Sequence, residues 1–222
     1  VATAIEGALR ALDLLGKKPE GCAAVVVGAA GSIGAACAKL LHPDVGRLTL
    51  VDLKEDRIRE LAEELGDRVA CSTDPNDALP EADLVVTVTS AATSVIEPEP
   101  LKPGSVVCDV ARPRDVSKEV AQRRPDVLVI EGGVVAVPGE VEFGLDFGFP
   151  PRTAYACMSE TMILALEERW ENYTLGRTIS LDKVHEIRAL AEKHGFELAG
   201  FRSFERAVSE ETIEGVRAHV RP

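Results

Sequence analysis

Gly28-Ala-Ala-Gly31-Ser32-Ile33-Gly34 is a glycine-rich turn between an apolar run, residues 23–27, and a helix-like segment, residues 32–41. Glycines at this spacing let a backbone turn sharply and approach a phosphate closely. The N–H groups that open the following helix then face the negative charge. A second apolar run, residues 48–51, ends in Asp52, eighteen residues after Gly34. A strand, a glycine turn, a helix, a strand and a terminal acid describe a dinucleotide-binding βαβ unit, here with G-x-x-G-x-x-G in place of G-x-G-x-x-G. Gly28, Gly31, Ser32, Ile33 and Gly34 are the expected pyrophosphate cradle. Asp52 is placed to accept from the adenosine ribose hydroxyls and to repel a 2′-phosphate, which favours NAD over NADP. Lys54 adds a cation nearby and keeps NADP open.

The elements that would hold this turn read as alternating strands and helices. After Asp52 comes a charged amphipathic helix, residues 54–65, closed by Gly66. Strands are expected at 68–71, 82–89, 105–109 and 126–130, with a short helix over 115–122. Continuous apolar strands separated by helices imply an α/β fold: a doubly wound, mostly parallel Rossmann sheet of order 3-2-1-4-5-6. Ligand then lies at the carboxyl ends of the strands, where Thr89 and Ser90 end the fourth and Gly132 and Gly133 follow the sixth. Ile5, Ala8, Leu9, Leu12 and Leu15 mark an N-terminal helix within residues 1–20, before the dinucleotide-binding region at 21–150. Everything in 151–222 reads as helix: 153–172, a segment capped by Ser180 and closed by Gly195, and a last one capped by Ser209. The chain starts inside a helical pattern, so an upstream portion is expected to be missing.

Composition narrows the function classes. The net charge of −12 argues against nucleic acid as a partner. No apolar run reaches a membrane span and no signal-peptide pattern opens the chain, so a cytoplasmic protein is expected. The five cysteines have no C-x-x-C and suggest free thiols in a reducing compartment, with no metal site. Cys157 lies near the start of the 153–172 helix, where exposed amides favour a thiolate. Arg152 would add to this and Glu160 would oppose it. A buried inert cysteine is the competing reading, and it fits Cys22, Cys37, Cys71 and Cys108. Arg112, Arg114, Lys118, Arg123 and Arg124 form a basic segment, read either as a solvated face mixed with acids or as a docking patch for a phosphopantetheine carrier or coenzyme A.

The stretch 152–162, Arg-Thr-Ala-Tyr-Ala-Cys-Met-Ser-Glu-Thr-Met, with 172–180 and 193–196 after it, resembles the C-terminal part of the long-chain acyl-[acyl-carrier-protein] reductase family. The resemblance extends upstream through 27–34, 81–86 and 132–135 and covers about residues 1–200. It implies that Cys157 is a nucleophile that takes an acyl group as a thioester, from a small-molecule or carrier-bound donor, before reduction to an aldehyde with a nicotinamide cofactor. That family carries an N-terminal acyl-binding domain and a stretch fitting NADPH where this chain has Asp52. Two other readings stay open: direct hydride transfer to a small polar substrate, as in shikimate dehydrogenases, and a non-catalytic NAD(H)-binding subunit. A homo-oligomer is compatible with each.

Overall fold

The computed structural model describes residues 1–145, 148–174, 176 and 178–220. Six parallel strands form the central sheet: β1 (Ala23–Val27), β2 (Arg47–Val51), β3 (Val69–Ser72), β4 (Leu84–Thr87), β5 (Val106–Asp109) and β6 (Leu128–Glu131). Their order is β3-β2-β1-β4-β5-β6, as the sequence predicts. The register places Val27 beside Val51 on one side and Thr87 on the other, so the strands around the glycine turn end level. The fold is an α/β Rossmann fold.

Side chains alternate between the two faces of the sheet. Ala24, Val26, Leu50, Val86 and Ile130 meet one layer, made by α1 (Ala2–Leu14), α2 (Ser32–Leu41), α3 (Glu55–Leu65) and α7 (Glu210–Arg217). Val25, Val27, Val85, Val107 and Val129 meet the other, where Val120 of α4 (Lys118–Arg123) packs with Leu79, Ile96 and Leu101 from the loops. At the amino edge Asp83 accepts from Ala23 N at 3.0 Å and from Lys17 and Lys102, each at 2.7 Å. That cluster pins the end of α1 to the sheet.

The C-terminal region departs from the all-helical expectation. Residues 153–172 divide into β8 (Thr153–Tyr155) and α5 (Ala156–Leu166). β8 pairs antiparallel with β7 (Val134–Ala136), which also pairs with β9 (Glu197–Leu198) after α6 (Leu181–His194). A hairpin of β10 (Arg202–Ser203) and β11 (Arg206–Ala207) leads into α7. Strands of two or three residues carry no readable period. β8 and β9 find their partner, β7, well away in sequence, so local pattern favours helix there. Ser209 caps α7 as expected, its Oγ accepting from Thr212 N at 3.2 Å. Ser180 makes no side-chain cap bond, and Gly195 ends α6 in the left-handed conformation at φ 78°.

Candidate active site

The glycine turn is built from close backbone contacts. Gly28 has φ +88°, and a Cβ there would lie 2.8 Å from Val88 O. A Cβ on Gly34 would lie 2.1 Å from Gly28 O, so α2 can approach β1 only with glycine at 34. Gly31 is freer, with Gly28 O at 3.3 Å. The first helical bond of α2 runs from Ala35 N to Gly31 O at 2.9 Å. The amides of Ser32, Ile33 and Gly34 therefore precede the ladder and remain for an anion.

Asp52 closes the turn from the neighbouring strand. Its Oδ2 accepts from Ala30 N at 3.1 Å and its Oδ1 from Lys54 N at 3.0 Å. A carboxylate has about four acceptor sites, so each oxygen retains capacity for a ribose hydroxyl. Leu53 beside it is 89% exposed, an apolar surface that the sequence reading did not single out. The backbone cradle, the open helix start and the acid together fit a dinucleotide.

The other expected binding residues divide into two groups. Thr89 is committed to the scaffold: its hydroxyl and its N–H both donate to Asp115, which also receives Thr87 Oγ1 at 2.6 Å. Ser90 is exposed. Gly132 is required by packing, since a Cβ there would lie 2.8 Å from Val110 Cγ2 and 3.0 Å from Cys108 Sγ. Gly133, at φ +92°, accepts Ala156 N at 2.8 Å through its carbonyl and so fixes where α5 begins.

That contact sets the position of Cys157 in the first turn of α5. Cys157 is exposed, whereas Cys22, Cys37 and Cys108 are buried and Cys71 is half-buried. Burial pushes the Cys37 thiol up to about 11 and raises those of Cys22 and Cys108 as well. Arg152, expected beside Cys157, reaches Gly139 O at 3.4 Å instead. The arginines of the basic segment are paired: Arg112 with Glu131, Arg114 with Glu131 and Glu205, Arg123 with Glu99 and Glu119, and Arg124 with Asp126, while Lys118 is exposed. Leu175 and Arg177, in the stretch that carries the family resemblance, lie outside the described residues.

A cleft of 910 Å³ joins the two halves of the site. Ser32 and Ile33 of α2 line it, as do Cys157, Ser159 and Glu160 of α5. Further walls come from α1, through Thr3, Glu6 and Arg10, from α6, through Lys183 and Ile187, and from β7 and β9, through Val135 and Glu197. Sequence reasoning treated α1 as a flank because only its apolar stripe was legible. Tyr173 closes one side: its hydroxyl donates to Lys183 O at 3.0 Å and to Glu186 Oε2 at 2.7 Å.

Comparison with known proteins matches residues 11–131 to the shikimate/quinate 5-dehydrogenase family. The chain belongs to that family. It is an NAD(P)-binding Rossmann domain of oxidoreductase type. Aminotransferase PigE of a Serratia species is 36% identical over 210 residues, covering 91% of this chain and 24% of the relative. The long-chain acyl-[acyl-carrier-protein] reductase of Synechococcus elongatus is 32% identical over 180 residues, covering 78% of this chain and 52% of the relative. The chain thus spans a quarter to a half of the length of these two relatives. Among solved structures, glutamyl-tRNA reductase from Methanopyrus kandleri aligns with a TM-score of 0.48 at 23% identity, covering 86% of this chain and 41% of that one. Among the described residues no helix is long and apolar enough to cross a membrane.

Proposed function

We propose that this protein reduces an acyl thioester to an aldehyde through an acyl-enzyme on Cys157. The observation that carries the reading is the single cleft lined both by the first turn of α2 and by Cys157. A thiol and the phosphate-binding helix meet there in one space.

The cradle of Gly28, Gly31, Ser32, Ile33 and Gly34 would hold the pyrophosphate, and Asp52 the adenosine ribose, with NAD preferred over NADP. When bound, the nicotinamide cofactor supplies a hydride. The chain supplies the acyl acceptor. Cys157 Sγ bonds to the acyl carbon, the bond to the donor sulfur breaks, and the acyl group is held facing the cleft. The name of the Synechococcus relative supports a carrier-bound donor.

The test is single-turnover acylation. Incubation with a short acyl-coenzyme A should leave a mass adduct on the peptide containing Cys157, and adding NADH should release an aldehyde. Cys157→Ala should abolish both. Direct hydride transfer to a small polar substrate is the second reading. It is favoured by a family match that ends at residue 131, before Cys157. Turnover of such a substrate that survives Cys157→Ala would replace the first reading with the second.

A further inference from the structure

Glu160 follows Cys157 by three residues on α5, a spacing that puts two side chains on one helix face with Cβ atoms about 5–6 Å apart. Both line the cleft. Glu160 is half-buried, and among the described residues no hydrogen bond or ion pair engages its carboxylate. Three other acids of the region are occupied: Glu167 by Lys193, and Glu171 and Glu186 by Arg169. The one electrostatic contact of Glu160 among the described residues is with the Tyr173 hydroxyl, which burial and Glu186 push up first and the Glu160 charge pushes up further.

Ser159 supplies an independent observation. It is 2% exposed and lines the same cleft, and its Oγ has no hydrogen-bond partner. Buried hydroxyls are ordinarily satisfied. A hydroxyl left open at a cleft wall is one that a polar atom of a ligand completes. α5 therefore contributes a free carboxylate, a free hydroxyl and the exposed thiol to the lining of one cleft.

We infer that Glu160 is the acid–base group of acyl transfer to Cys157, with Ser159 hydrogen-bonding a polar atom of the bound acyl donor; this rests on the acyl-enzyme reading above. The Glu160 carboxylate takes the proton from Cys157 Sγ. The sulfur forms its bond to the acyl carbon. The bond from that carbon to the donor sulfur breaks, and its electron pair goes to the donor sulfur. That sulfur then takes the proton from Glu160, which ends as the carboxylate it was. Nothing is oxidised or reduced in this step. The other charged groups facing the space are Glu6 and Arg10 of α1, Lys183, Arg188 and Glu192 of α6, and Glu197 of β9. Glu160 alone shares a helix with the thiol. Tyr173 faces the cleft too, but its hydroxyl is tied to Lys183 O and Glu186.

Two rates test this, both measured without nicotinamide in the wild type, Glu160→Gln and Glu160→Asp. One is alkylation of Cys157 by iodoacetamide across a pH series, read by peptide mass. The other is acyl transfer from acetyl-coenzyme A to Cys157. Glu160→Gln leaves the thiol and its exposure in place, so its alkylation should stay within about twofold of the wild type. Its acyl transfer should fall by about tenfold or more, because no group returns the proton. Glu160→Asp should keep much of the acyl-transfer rate. A fall in acyl transfer with alkylation unchanged is the signature that a merely structural role would not give. If both rates move together, or neither moves, Glu160 has no such role. If the wild type forms no acyl adduct on Cys157, the acyl-enzyme reading itself fails and takes this one with it.

Discussion

Asp52 and Ala30 are joined across the top of the sheet: the carboxylate at the end of β2 accepts the Ala30 N–H at 3.1 Å. One side chain thereby shapes the glycine turn and presents charge where an adenosine ribose would lie. Asp52→Ala should lose about 1 kcal/mol of stability, since water can replace its partners at a half-exposed site. It should also relax the discrimination against a 2′-phosphate, raising the affinity for NADPH relative to NADH by about tenfold. Calorimetric titration with both nucleotides checks this. Tighter NADPH binding by the wild type would mean that Asp52 does not face the ribose.

Gly31 and Gly34 should fail in different ways. A Cβ at 34 would lie 2.1 Å from the carbonyl oxygen of Gly28, with no side chain to move aside. Gly34→Ala should therefore cost about 3 kcal/mol or more, by forcing α2 away from β1. At Gly31 the nearest atom is 3.3 Å away. Gly31→Val should leave most of the fold and remove nucleotide affinity, because its branches occupy the approach to the pyrophosphate. Thermal unfolding and NADH titration of the two variants separate the effects. Equal affinity in Gly31→Val and the wild type would defeat the cradle assignment.

These contrasts mark what the sequence could reveal. β1 is legible residue for residue because five consecutive apolar residues are bounded by glycine on the turn side. The sheet order follows from the alternation of strands and helices. β8 was hidden because Thr153–Tyr155 finds its partner, β7, seventeen to twenty-one residues away, and three residues show no alternation. The two cap serines show the same limit. Ser209 bonds the first turn of its helix and Ser180 does not, although both precede a helix. The role of α1 in the cleft was hidden for another reason: Glu6 and Arg10 look like any solvated helix face until α5 and α6 are in place. The free Ser159 hydroxyl is a property of packing, and no residue spacing encodes it.

Glu131 gives the C-terminal hairpin a pH dependence. Burial alone would raise its carboxyl, but the Glu205 N–H and the Arg114 guanidinium, with help from Arg112, outweigh burial and hold it below the usual glutamate range. The Glu205 N–H donates to Glu131 Oε1 at 2.8 Å and Arg114 at 2.9 Å. A carboxyl depressed in the folded state stabilises that state above its unfolded value, near about 4.3, and the gain is lost as pH falls through the folded value. Acid should therefore loosen residues 202–207 first, seen as a rise in their amide exchange below about pH 4. Glu131→Gln should loosen the same segment already at neutral pH and flatten the acid limb. An acid limb unchanged in Glu131→Gln would rule this group out as its source.

The thiols supply the last prediction. Cys157 is the exposed cysteine, and burial raises the thiols of Cys22, Cys37 and Cys108, so Cys157 should alkylate first in the folded protein. Exposure alone predicts that order, so the order does not establish a nucleophile. Acylation does. A thioester donor at low concentration should mark the peptide containing Cys157, and free cysteine at the same concentration should react far more slowly. Gly133→Val should abolish that difference without touching the thiol. Its positive φ disfavours a β-branched side chain, and its carbonyl is the group that anchors Ala156 N and the start of α5. The folded state of this variant is checked by its NADH affinity, because the glycine turn lies on other strands. If Cys157 acylates no faster than free cysteine in the wild type, the residue is an accessible thiol on a nucleotide-binding domain, and the acyl-enzyme reading is withdrawn.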